Sequence, residues 1–222
     1  VTTPGPSFPG SAPSSIPTPV STVPEDAVPG LRRLLVAGTA GGVGTTTVAA
    51  LLFAALRDAG DAPFLIDHTG GELGPRIPGG DEVAAVDHRF RLHDLGRNIA
   101  VAADALADPG TSLIMVTAAT ALGRTLAAEQ LRTIGQRHAG SEDAGDHQPR
   151  HDPVGKVVLV QVECFGRRGR ESIRGLTVGE QVLLPLDDVL AAGGRIPANR
   201  LARPTRQAIR RLAGAVRPDL VR

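Results

Sequence analysis

LLVAGTAGGVGTTTVAALLFAAL, residues Leu34 to Leu56, runs from an apolar segment through a glycine-rich turn into an apolar stretch at helical spacing. That order predicts a strand, a loop and a helix. Gly38, Gly41, Gly42 and Gly44 permit positive φ and let amide N–H groups crowd around an anion at a helix N-terminus. Val48, Leu51, Leu52, Ala55 and Leu56 recur on one helical face, the face that would turn towards a sheet. A phosphate-bearing ligand would sit in this turn. The phosphate-loop pattern G-x-x-x-x-G-K-[ST] is met by Gly38 and Gly44, but the position of its lysine holds Thr45, followed by Thr46 and Thr47.

Outward from this stretch the chain alternates strand and helix. The pattern predicts a first strand over Leu31–Ala37, a helix over Thr45–Ala59 stopped at Gly60, and a second strand over Pro63–Asp67. A Gly- and Pro-rich loop, Thr69–Asp81, precedes a short third strand carrying Phe90 and Leu92, with Val86 as a candidate early residue, that ends at Asp94. Further strands are predicted over Ser112–Thr117, Val157–Val162 and Val182–Leu186, and helices over Ala121–Arg137 and Thr205–Val216. Strands that are apolar throughout and alternate with helices predict an α/β fold, a mostly parallel sheet with helices on both faces.

Two segments break the rhythm. Val1–Gly30 is dense in Pro, Ser, Thr and Gly and reads as a disordered tail, with a polyproline docking segment as the alternative; the domain then spans residues 31–222. Ala139–Gly155 is polar and reads as a mobile surface insertion. His147 and His151 lie there with Pro149 between them, which favours a solvated loop over a metal site. His88 and His93 lack ligand-like partners in the sequence and receive the same reading.

Composition narrows the function. A formal net charge of +1 gives no global pull towards nucleic acid or membrane, and Lys156 is the only lysine among mostly arginine cations. The single cysteine, Cys164, excludes an internal disulfide, and no apolar run approaches the ~18 residues of a membrane span, so a soluble cytoplasmic protein is expected. Without Trp or Tyr, the chain lacks the usual stacking platforms for bases and the tyrosine acid of carbonyl reductases.

The sequence resembles the MinD/ParA family of P-loop ATPases, whose loop reads K-G-G-V-G-K-T-T. The same stretch here is Ala40-Gly41-Gly42-Val43-Gly44-Thr45-Thr46-Thr47. The resemblance continues through a helix ending at Gly60, a strand ending at Asp67, Asp94-x-Gly96, and Pro185-x-Asp187. It implies a P-loop NTPase-type sheet and ATP or ADP with magnesium as cofactor, the alternative being a loop that binds nothing. The loop from Gly41 through Val43 to Thr47 would hold the phosphates. Thr46 would hold the metal, which Asp94 would approach through water. The segment after Pro185 would brush the base, with Gln161 near a base-contacting position.

The family's cross-dimer lysine corresponds to Ala40, its P-loop lysine to Thr45 and its water-orienting acid to Thr69. Ordinary turnover is therefore not expected unless a cation such as Arg97 supplies the missing charge, and a weakly active ATPase is one alternative. The resemblance implies protein partners, with a homodimer and non-specific DNA as further candidates. For DNA the candidate strip is Arg200, Arg203, Arg206, Arg210 and Arg217, whose plainer reading is a solvated helix face. The competing class is a nicotinamide-dependent reductase using Gly38, Gly42 and Gly44, with Asp67 as the ribose-binding acid. Asp67 comes late for that role, and the Tyr-x-x-x-Lys pair cannot exist here.

Overall fold

Strand β1 (Arg32–Gly38), which feeds the glycine loop, lies in the interior of a six-stranded sheet. The computed structural model describes residues 31–61, 63–79, 89–139, 156–164 and 178–217. Val1–Gly30 and all but the first residue of the insertion lie outside the described residues, as do Val86, His88, His147 and His151. The other strands are β2 (Phe64–Asp67), β3 (Phe90–Asp94), β4 (Thr111–Ala118), β5 (Val157–Val162) and β6 (Glu180–Leu184), in the order β2-β3-β1-β4-β5-β6. Every neighbouring pair is parallel.

Side chains alternate across a strand, so an uninterrupted apolar run supplies two cores at once. Leu34 and Val36 join Leu92, Ile114, Val116, Val158 and Val160 beneath α1 (Thr45–Asp58) and the closing helix, Arg203–Val216. Leu35 and Ala37 join Leu113, Met115 and Leu159 beneath α2 (Ile99–Ala105) and α3 (Ala121–Ala139). A short α4 (Asp188–Ala191) follows β6, and the closing helix is α5. Among the described residues no helix is long and apolar enough to cross a membrane.

Gly60 ends α1 as expected. Its φ is 86°, its N–H bonds Arg57 O at 3.0 Å and the next N–H, of Asp61, reaches back to Leu56 O at 3.0 Å. This is a Schellman closure, which favours a residue without Cβ. The last strand begins earlier than predicted, at Glu180, and stops at Leu184, because Pro185 has no N–H to extend the ladder. Helix α5 also starts earlier, at Arg203, with Pro204 tolerated in its first turn. The sequence reading missed α2, whose seven residues are too few for a helical period to stand out.

The strand order argues against the reductase. In dinucleotide-binding folds the second strand neighbours the first, which brings its terminal acid to the loop. Here β3 separates β1 from β2, and β2 is an edge strand.

Candidate functional site

The rim above the carboxyl ends of the strands is built by hydrogen bonds just past each strand. Leu95 N–H donates to Val36 O (2.9 Å), Gly38 N–H to Gly96 O (2.7 Å) and Thr39 N–H to Val116 O (2.9 Å). Ala119 N–H donates to Val162 O (2.8 Å) and Glu163 N–H to Leu184 O (3.0 Å). These bonds fix the glycine loop between the β3 and β4 ends.

Within the loop the glycines do different work. Gly42 and Gly44 have φ of 73° and 88°, the left-handed conformation that L side chains resist. Gly38 does not, but a Cβ there would collide with Thr45 Oγ1 and lie 2.9 Å from Val43 Cγ2. The Thr45 side chain therefore rests against the end of β1. Gly44 is the N-cap of α1 without any side-chain cap, and the first turn carries no acid. The first N–H groups of this 14-residue helix are thus left for an anion.

The loop floors a cavity of about 770 Å³, a size suited to a nucleotide-like ligand. All of the predicted phosphate-side residues, Gly41, Gly42, Val43, Gly44, Thr45, Thr46 and Thr47, line it, and Pro185 lines it as well. Asp94 does not reach the wall, being fully buried. Period-two alternation in β3 turns it towards the α1 side with Phe90 and Leu92, next to Thr46. One oxygen, Oδ1, accepts Gly96 N–H at 3.0 Å. The other, Oδ2, is buried without a hydrogen-bond partner. Burial pushes this carboxyl up, and the Gly96 N–H and Thr46 hydroxyl only partly offset it. A buried carboxylate oxygen left open beside a threonine hydroxyl suits a hard cation or its water.

Asp67 is the opposite case. Its oxygens accept Thr69 N–H (2.7 Å), Thr69 Oγ1–H (2.6 Å), Gly71 N–H (3.1 Å) and Leu73 N–H (3.2 Å). Burial alone would raise this carboxyl, but those donors together hold it below its ordinary range. It organises the loop after β2 and has no oxygen free for a ribose. Thr69 has its hydroxyl committed to Asp67.

Two other expectations are corrected. Gln161 lies on the α3 side of β5, in register with Thr117, and does not line the cavity; its neighbour Val162 does. Arg217 is no part of a solvated strip. It pairs with Asp61 at 2.8 Å, the two side chains only 16% and 9% exposed, and ties the end of α5 to the end of α1. Arg200, Arg203, Arg206 and Arg210 are exposed, and of these Arg206 also donates to Leu201 O.

The sequence reading missed several supports. Thr39 Oγ1 donates to Thr117 Oγ1 (2.9 Å), which donates to Gly123 O (2.8 Å), linking the loop to α3. Asp187 accepts Val189 N–H (3.1 Å), Ala202 N–H (2.9 Å) and Thr205 Oγ1–H (2.7 Å), joining the β6 end to the entry of α5. His93 stacks on His68, with ring centroids 5.4 Å apart. Pairings such as Thr39 with Thr117, Thr205 with Asp187 and His68 with His93, far apart in sequence, leave no local signal.

No family model and no curated protein matches the chain. Among solved structures, the crystal structure of a ParA family ATPase from Chlorobium tepidum TLS superposes with a TM-score of 0.54 at 14% identity. The match covers 82% of this chain and 98% of that one. The fold is ParA-like. In this ParA-like fold the glycine loop occupies the first strand-to-helix turn, and Asp94 ends the strand beside it.

Proposed function

We propose that this chain is a degenerate MinD/ParA-like P-loop protein that binds ATP or ADP with magnesium, turns it over poorly or not at all, and acts as a regulatory or scaffolding partner. The processes that suit such a role are cell-division positioning, partitioning or secretion. One observation carries the binding half of this reading: the open, buried Oδ2 of Asp94 beside Thr46, under a loop whose helix N–H groups lack internal partners. Thr46 and Asp94 would hold the metal, which when bound neutralises phosphate charge. Thr47 and the loop amides would hold phosphate oxygens, and Pro185 would border the base.

The catalytic half is weak for reasons local to three residues. Ala40 ends in a methyl, Thr45 packs against the end of β1, and Thr69 is bound to Asp67. A charge-assisted hydrogen bond is worth about 1.5–3 kcal/mol and each ~1.4 kcal/mol missing from a transition state costs about tenfold in rate. Calorimetric titration with ATP, ADP and GTP, with and without magnesium, tests the reading. Magnesium-enhanced binding of an adenine nucleotide with little turnover is the expected result. Flat traces for all three would overturn it.

A further inference from the structure

Phosphate loops usually pair their amides with a lysine, because helix-terminal partial charges alone leave a polyphosphate under-neutralised. In this chain the only lysine is elsewhere. Lys156 donates to Leu106 O (3.2 Å) and Asp108 O (3.0 Å) at the opposite end of the sheet. Among the described residues, the cations on the cavity wall are Arg76 and Arg97. Arg76 donates to Leu190 O at 3.3 Å, which fastens it to α4.

Arg97 is placed differently. A Cβ built on Gly41 would lie 3.5 Å from Arg97 Cδ and 3.9 Å from its Nη1, so the side chain reaches along the start of the loop. No described residue accepts a hydrogen bond from, or pairs with, its exposed guanidinium. Its backbone is nevertheless held, since the preceding Gly96 accepts Gly38 N–H and donates to Asp94 Oδ1. Gly41 itself does not need positive φ, and the atoms nearest to its missing side chain belong to Arg97.

We propose that Arg97 is the replacement cation of this loop, its guanidinium binding a phosphate oxygen of the nucleotide while the amides of Gly41 to Thr46 bind the others. The inference rests on the nucleotide reading above. Charge that the pattern normally mounts on the helix after the loop is here mounted on the turn after β3. A planar guanidinium suits this position, because it can reach a phosphate in a two-pronged fashion from the side.

The test is calorimetry of the full chain with magnesium and ATP, ADP or inorganic tripolyphosphate, the last probing the phosphate part alone. Arg97→Ala should weaken ATP and tripolyphosphate about 10- to 100-fold at unchanged melting temperature. Arg97→Lys should retain part of the affinity. Adding Thr45→Lys to Arg97→Ala should recover most of it, since charge returns to the same phosphates. If the parent binds ATP and Arg97→Ala binds it within about twofold, the inference falls and the nucleotide reading stands. A doubly substituted protein no tighter than Arg97→Ala would also overturn it, because the loss would then not be one of charge. A parent that binds no nucleotide overturns both.

Discussion

Asp94, at the end of β3, and Asp187, just past β6, are both buried aspartates on the same rim of the sheet, yet their surroundings treat the charge in opposite ways. Asp187 has every oxygen engaged: Val189, Ala202 and Thr205 donate to it, and they outweigh the cost of burial, so its carboxyl lies below the ordinary range. Asp94 is more deeply buried, keeps Oδ2 open, and its carboxyl is held above that range. A fold gains stability from the first arrangement and loses some from the second. A carboxylate only partly compensated in a well-packed sheet is a candidate for a role other than holding the fold.

The largest effect that could break this contrast is on stability. Asp187→Asn turns an amide N–H₂ towards donors and should cost about 2–4 kcal/mol in urea unfolding. Asp94→Asn removes a poorly solvated charge and should change stability by less than about 1 kcal/mol in either direction. Equal losses at the two sites would mean that Asp94 is a structural acid like its counterpart.

Acid should separate them next. The folded-state pKa of Asp187 lies below its unfolded value of 3.8. Its contribution is therefore present above the unfolded value and is lost as pH falls through the folded one. Asp67, depressed by its own set of donors, adds to the same loss. Stability measured from about pH 5 to about pH 2 should fall more steeply in the parent than in Asp187→Asn. Parallel profiles would show that the three donors to Asp187 do not act on its charge.

A smaller effect is expected on binding. If the open oxygen serves a cation, Asp94→Asn should abolish the magnesium-dependent part of nucleotide affinity, about tenfold, while leaving binding without magnesium unchanged. Loss of both parts alike would place Asp94 in the phosphate site and not the metal site.

The same contrast explains what could be read from the chain in advance. Contiguous information was legible: the apolar runs of β1, β4 and β5, the Gly60 stop, and the left-handed turns at Gly42 and Gly44. Non-contiguous information was not. That Asp187 would engage Thr205, or Asp61 would engage Arg217, depends on how α5 crosses α1 and β6. Gln161 shows a middle case, since period-two alternation from Val160 and Val162 already put it on the other face. Thr69 was visible as a departure from the pattern that the sequence resembles, but not as a donor already bound to Asp67.

The smallest effect is expected from the most obvious repair, and it extends the contrast to a third strand end. Thr45→Lys restores the letter of the phosphate-loop pattern at the end of β1. The new ammonium would face phosphates cradled by the loop amides, so binding should tighten. Hydrolysis should stay at the parent level, because Thr69 Oγ1 remains held by Asp67 at 2.6 Å and Ala40 still offers only a methyl. Residues that act as one catalytic unit are strongly non-additive, so restoring one while two are absent leaves the barrier where it was. Single-turnover assays of the parent and Thr45→Lys, each saturated with magnesium and ATP, measure this directly. If the substituted protein hydrolysed ATP many times faster than the parent, the absence at Ala40 and the engagement of Thr69 would not be limiting. Another group on the rim would then have to be orienting water.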